Sequence, residues 1–261
     1  MRSTHVNGVK IAYELHGKGE PVLFVHGFPL SRRLWQHLVG PLQDRYTLIM
    51  PDFRGMGDSD ATAAATMADY ADDLAGLLDA IGENRRVVVV GLSMGGYIAF
   101  EFFRRHGERV RALVLADTKA DADTPEAAKG RLETAEKVKA GGSAVVAEAM
   151  TPKLFAKSAD KALIEEWRGV MAATKPEGVV AALSALASRP DSTGTLGQIR
   201  VPTLIVVGEE DGITPPASSK AMHDGILGSK LEIISGAGHM TPVEKPREFV
   251  AAMRSFLDSL E

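Results

Sequence analysis

RVVVVGLSMGGYIAFEFF, residues 86–103, decides the fold. Its four consecutive valines, Val87 to Val90, show no polar alternation, as a strand buried on both faces of a parallel sheet requires. Tyr97 to Phe103 is apolar at helical density. Between the two, Gly91-Leu92-Ser93-Met94-Gly95 matches G-x-S-x-G, in which a serine stands on a strained turn from strand into helix. Small residues two before and two after that serine let strand and helix pack closely. A glycine-rich phosphate turn is the competing reading, but the segment has neither GxGxxG spacing nor a GK[ST] ending. The apolar stretch from Val87 to Phe100, about 14 residues, is shorter than the roughly 20 that span a bilayer. It reads as a buried strand running directly into a helix.

Working outward, the same kind of apolar run recurs as PVLFV (21–25), YTLIM (46–50), RALVLA (111–116), TLIVV (203–207) and KLEII (230–234). Asn7-Gly8 is a two-residue turn signal between THV and VKIAYEL, so a hairpin should add an antiparallel edge. Thr66 can cap a helix ending at Gly82, with Met67, Tyr70, Leu74, Leu77, Leu78 and Ile81 on one stripe. A C-terminal helix starting near Pro246 carries Phe249, Val250, Met253, Phe256 and Leu257. Strands alternating with helices at this spacing predict an α/β protein with a doubly wound, mostly parallel sheet.

Residues 119–195 break that alternation, holding only Ala-, Lys- and Glu-rich helical stretches. Thr124-Pro125-Glu126 starts one helix and Gly141-Gly142 stops it. Ser143 and Ser158 are candidate caps for two more, and Pro176 opens a fourth ending near Arg189-Pro190. An insertion of about 75 residues is far longer than an ordinary connection. The expected organisation is therefore a core of residues 1–118 and 196–261, with 119–195 as a helical cap over one edge of the sheet.

Composition bounds the function. The 261 residues carry 30 basic and 34 acidic side chains, a net charge of −4, with 45% hydrophobic residues. That weak negative charge argues against a nucleic-acid partner, which needs a basic stripe. The absence of cysteine excludes disulfides, thiol nucleophiles and thiolate metal sites. MRSTHVNGVK lacks the apolar core of a secretory signal, so a soluble cytoplasmic protein without a membrane partner is expected.

A serine hydroxyl is a poor nucleophile until a base takes its proton. Among seven histidines, His239 in Ser235-Gly236-Ala237-Gly238-His239-Met240 follows the last strand, at the carboxyl edge where catalytic groups gather. The other six read as structural or solvated, His26 as a loop residue bonded locally. The third group must be a carboxylate that fixes the imidazole's tautomer. Asp211, directly after TLIVV, is preferred, and Asp117, at the end of RALVLA, is the competitor. Two N–H donors must face the oxyanion. The expected donors are Met94, which follows the nucleophile, and Phe28 in the loop after PVLFV.

At this point the chain resembles the α/β-hydrolases with a serine nucleophile. The likeness rests on His26-Gly27-Phe28-Pro29, PDFRGMGDS (51–59), GLSMGG (91–96), GEEDGITPP (208–216) and GAGHMTPVEKP (236–246), and covers nearly the whole chain. The pieces ADT (116–118), TPEA (124–127), MTPKL (150–154) and RPDST (189–193) look similar to those of small bacterial carboxylesterases. The resemblance implies the α/β-hydrolase fold, a Ser93-His239-Asp211 triad and an oxyanion hole of Phe28 and Met94. It also implies hydrolysis of small to medium carboxylic esters, with no metal or cofactor. 3-Oxoadipate enol-lactonases and cofactor-free haloperoxidases or perhydrolases share every motif quoted. Dehalogenases and epoxide hydrolases of this fold use an aspartate where this chain has Ser93. A hydrolase fold serving only as a binding module is the third reading, against which all the expected reactive groups are present. Trp35 and Trp167 are candidate pocket residues, with packing as the duller alternative. Lys153, Lys157, Arg168 and Arg189 are the candidate cations of the cap. Oligomeric state is left open by the sequence.

Overall fold

Each apolar run becomes a strand, in a computed structural model that describes residues 1–260. The strands are β1 (Arg2–Val6), β2 (Val9–His16), β3 (Glu20–Val25) and β4 (Tyr46–Pro51). They continue as β5 (Val87–Leu92), β6 (Val110–Ala116), β7 (Thr203–Gly208) and β8 (Lys230–Ile234). Asn7 and Gly8 take φ of 48° and 79° in the turn between β1 and β2, as a tight hairpin demands. The eight strands form one sheet in the order β1-β2-β4-β3-β5-β6-β7-β8. β2 is antiparallel to both β1 and β4, and all other neighbours are parallel.

Helices cover both faces. In chain order they begin with α1 (Gln36–Leu42), α2 (Met67–Ala80) and α3 (Met94–His106). Next come α4 (Pro125–Gly141), α5 (Ala144–Leu154), α6 (Lys161–Ala172), α7 (Pro176–Ala187) and α8 (Thr193–Leu196). The chain ends with α9 (Pro216–Gly225), α10 (Thr241–Glu244) and α11 (Pro246–Asp258). Val88 and Val90 pack with Leu38 of α1 and Phe249 and Met253 of α11, whereas Val87 and Val89 pack with Leu74 of α2 and Ile98 of α3. That two-sided burial explains why the valine run has no polar alternation.

Register aligns the strand ends. Val25 pairs with Gly91, Gly91 with Leu115, and Leu115 with Ile205. The loops after β3, β5, β6 and β7 therefore leave the sheet along one edge, which brings sequence-distant residues together.

Helix starts follow capping chemistry. Thr66 accepts from the Asp69 N–H at 3.2 Å while the Asp69 carboxylate accepts from the Thr66 N–H at 2.7 Å. Thr124 caps α4, which stops before Gly142 at φ 75°. Ser143 precedes α5, but its hydroxyl donates instead to the Thr174 carbonyl at 2.6 Å. The cap expected at Ser158 is taken by Asp160, whose carboxylate accepts from the N–H groups of Ala162 and Leu163 at 2.6 and 3.4 Å. Helix α6 starts only after Asp160, beyond the reach of Ser158. Helices α4 to α8 lie between β6 and β7, α4 packed along α7 and α5 along α6. Among the described residues no single helix is long and apolar enough to cross a membrane.

Candidate active site

Ser93 sits between β5 and α3 at φ 55° and ψ −115°, a conformation that costs a non-glycine residue about 1–3 kcal/mol. The neighbouring glycines follow from how closely strand and helix approach. A Cβ on Gly91 would lie 2.3 Å from the Gly95 carbonyl oxygen, and one on Gly95 would lie 2.0 Å from the Val25 oxygen. Backbone contacts hold the strained turn: the Ser93 N–H donates to the Ala116 carbonyl at 3.0 Å, and the Ser93 carbonyl accepts from the Thr118 hydroxyl at 2.8 Å. The Ser93 hydroxyl itself has no hydrogen-bond partner among the described residues.

His239 lies in the loop between β8 and α10, 2% exposed, and pairs through Nδ1 with Asp211 Oδ2 at 2.8 Å. Asp211 is fixed in turn. Its Oδ1 accepts from the N–H groups of Ile213 and Thr214 at 2.8 and 2.9 Å, and its Oδ2 from the Thr214 hydroxyl at 2.7 Å. With Nδ1 committed to the carboxylate, Nε2 is the nitrogen left to take a proton. Burial alone would pull the imidazolium pKa down, but the hydrogen bond and charge of Asp211, with Asp117 and Glu244 nearby, outweigh it and raise the pKa. The Asp211 carboxyl moves the other way, since His239 and Thr214 overcome the cost of its burial.

Asp117 makes no hydrogen bond to His239 among the described residues. Its Oδ1 accepts from the Gly208 N–H at 2.9 Å, and its Oδ2 accepts from the Thr241 hydroxyl. The hydrogen bond to His239 is thus made by Asp211, the carboxylate the sequence preferred, and not by its competitor Asp117.

The loop after β3 stands against the serine. A Cβ on Gly27 would lie 3.4 Å from Ser93 Cβ, so the Gly27-Phe28 turn and the serine are immediate neighbours. His26 is fully buried and stacked on Phe53 with ring centroids 3.9 Å apart. Burial, partly opposed by the Asp52 charge, lowers its pKa to about 4, so the ring is neutral. Nε2 accepts from the Phe53 N–H at 3.2 Å, which leaves Nδ1–H to donate to the Gly27 carbonyl at 2.8 Å. His26 therefore sets the turn that presents Phe28. The N–H groups of Phe28 and Met94 have no hydrogen-bond partner among the described residues. That of Met94 opens a 13-residue helix, where the dipole favours negative charge.

The sequence matches the alpha/beta hydrolase family model over residues 22–252. This chain belongs to the alpha/beta hydrolase family. The hydrolase is 41% identical to a thermophilic esterase from Thermogutta terrifontis, solved with malate bound. That match has a TM-score of 0.95 and covers 99% of this chain and 97% of the esterase. An enol-lactonase from Burkholderia xenovorans LB400 has a TM-score of 0.91 at 25% identity, covering 98% of this chain and 100% of its own. The 3-oxoadipate enol-lactonase 1 of Acinetobacter baylyi is 26% identical over 99% of this chain and 97% of its own length.

Two cavities of the hydrolase border the Phe28 turn and the loop that carries Asp211. One, of about 290 Å³, is lined by Phe28 and by Arg131, Met150, Lys153 and Leu183 from the inserted helices. The other, of about 680 Å³, is lined by Lys153, Phe155, Lys157, Glu210 and Gly212. Lys153 borders both, and its ammonium has no partner among the described residues. Arg168 pairs with Glu165 on the surface, and Arg189 is buried against Asp123 at 2.7 Å. Trp35 and Trp167 are 0% and 1% exposed in the apolar core, Trp35 against Phe24 and Phe249, so packing accounts for both. Sequence reasoning missed Glu244. Its carboxylate accepts from the N–H groups of Gly238, Met240 and Ala156 at 3.0, 3.2 and 2.7 Å, tying the histidine loop to the chain just after α5. Its position five residues after His239 was the one available signal.

Proposed function

We propose that this chain is a serine carboxylesterase acting on small-molecule esters. The observation that carries the reading is the buried Asp211–His239 pair on the same sheet edge as a serine held at φ 55°. As the Ser93 oxygen bonds to the ester carbonyl carbon, its proton passes to His239 Nε2 and Asp211 stabilises the imidazolium. The N–H groups of Phe28 and Met94 meet the charge that develops on the carbonyl oxygen. Collapse breaks the bond to the alcohol, which leaves with the proton held by His239. Water then attacks the acyl-enzyme by the same route, releasing the acid and restoring the Ser93 hydroxyl. In this reading a hydrogen bond from the Ser93 hydroxyl to His239 Nε2 forms when substrate binds. Residues 119–195 act as a cap. Supporting this, the His239 N–H donates to the Leu154 carbonyl at 2.8 Å, and α4, α5 and α7 line the cavity that Phe28 borders.

The test is turnover of p-nitrophenyl butyrate together with covalent labelling by an organophosphonate. Ser93→Ala should lose at least about 10⁴-fold in kcat and all labelling. Full activity in that variant sinks the reading. A folded wild-type chain that neither turns over ester nor labels would be a binding module instead.

Lys153 favours a second reading within the same chemistry. An unpaired ammonium bordering both cavities suits a substrate that carries a carboxylate, such as an enol-lactone acid. p-Nitrophenyl esters from acetate to dodecanoate, run beside enol-lactone and peroxide assays, separate the readings by relative kcat/KM.

A further inference from the structure

We infer that Asp117 and Thr118, at the end of β6, are positioning residues that hold the nucleophile, acid and base segments in register. The inference rests on the Ser93, Asp211 and His239 assignment proposed above. Ala116 to Thr118 touches all three segments. The Ala116 carbonyl accepts from the Ser93 N–H at 3.0 Å and the Thr118 hydroxyl donates to the Ser93 carbonyl at 2.8 Å, so the strained serine is held from both sides of its own backbone. The Thr118 side chain also fills the space at Gly96, where a Cβ would lie 2.4 Å from its hydroxyl oxygen. Asp117 reaches the other two segments. One carboxyl oxygen takes the N–H of Gly208, three residues before Asp211, at 2.9 Å. The other takes the hydroxyl of Thr241, two residues after His239, and its N–H at 3.4 Å.

Asp117 stands at φ 43°, in the left-handed region, where aspartate is among the better tolerated residues. It is fully buried, and no cationic side chain pairs with it among the described residues. Burial, with the Asp211 charge beside it, pushes its carboxyl up to about 8. Asparagine keeps one of the Asp117 bonds, its carbonyl oxygen accepting from the Gly208 N–H, while its amide nitrogen replaces the oxygen that accepts from Thr241. Alanine copies neither bond.

Kinetics on p-nitrophenyl butyrate with wild type, Ser93→Ala, Asp117→Ala, Asp117→Asn, Thr118→Val and Thr241→Val test the inference. Asp117→Ala should lower kcat about 100-fold with KM within about threefold, because misplaced catalytic groups act on the transition state more than on substrate binding. Asp117→Asn should recover at least about tenfold of that loss, and Thr118→Val and Thr241→Val should each lower kcat about tenfold. Asp117→Ala with wild-type kcat overturns the inference, and so does Asp117→Asn no better than Asp117→Ala. Should Asp117→Ala fail to fold, wild-type kcat in both threonine variants overturns it instead. Activity retained in Ser93→Ala removes the proposed esterase mechanism itself, a result the other variants cannot imitate.

Discussion

Buried carboxylates tie the loops at the carboxyl edge of the sheet, whereas charge pairs on the inserted helices lie mostly in water. Asp211 and Asp117 at that edge are 3% and 0% exposed, and their carboxylates bond to Ile213, Thr214 and His239 and to Gly208 and Thr241, respectively. On the insertion, Lys129–Glu133, Lys139–Glu136 and Arg168–Glu165 join side chains that are all at least 45% exposed. Bonds screened from water fix geometry, while exposed pairs are weak and easily exchanged. The contrast divides the labour of the proposed enzyme: the sheet edge holds the chemistry rigid, and the insertion leaves the pocket free to vary.

The contrast breaks first if the edge proves tolerant. Asp211→Asn should lower kcat by about 10³- to 10⁴-fold while the protein stays folded, because the imidazole loses both its tautomer and its counter-charge. The same variant has a pH signature. A general base works deprotonated, so kcat/KM should rise with pH through the His239 pKa. That midpoint should lie above the ordinary histidine value of about 6.5, since Asp211 outweighs burial. Removing the Asp211 charge leaves burial the stronger influence and moves the midpoint down. An unmoved midpoint would detach Asp211 from His239.

One tie of the insertion behaves like the edge. Arg189 and Asp123 are 2% and 5% exposed at 2.7 Å, and the Arg189 guanidinium lies 4.3 Å from the centroid of the Tyr97 ring on α3. Arg189→Met should cost about 3 kcal/mol in denaturant unfolding, toward the low end for a broken buried pair because Arg131 still holds Asp123. Lys139→Ala, which breaks an exposed pair on the same insertion, should stay within about 0.5 kcal/mol. Equal losses in the two variants would erase the distinction between buried and exposed ties.

How much of this was legible depends on what carries each feature. Strands and the serine turn were readable because they are local: unbroken apolar runs report burial on both faces, and Gly91 and Gly95 report a close approach. His239 followed from its place at the end of the last strand. The choice between Asp211 and Asp117 was not local. Asp117 directly follows β6 and Asp211 lies three residues beyond β7, and in the fold the Asp117 carboxyl bonds to Gly208 and Thr241 while that of Asp211 bonds to the imidazole. Glu244 offered only its closeness to His239 as a signal, since its tie to Ala156 joins segments far apart in sequence. Trp35 and Trp167 depended on how their helical segments are rotated, which the residue pattern left open. The cap at Ser158 failed through a helix start displaced to Asp160, a boundary shift of two residues.

The smallest expected effect probes the adaptable side of the comparison. Lys153 is exposed and borders both cavities, so it can meet a substrate carboxylate without holding any catalytic group in place. Lys153→Glu should therefore leave kcat/KM for a neutral p-nitrophenyl ester within about twofold, because no transition-state contact is lost. For an ester whose acyl chain ends in a carboxylate, attraction becomes repulsion, and kcat/KM should fall about three- to tenfold at low salt. Raising ionic strength should shrink that gap, since a solvent-exposed charge is screened over about 10 Å at 0.1 M. A loss equal for neutral and anionic esters would instead place Lys153 in the rigid half of the site, and the division between edge and insertion would have to be redrawn around α5.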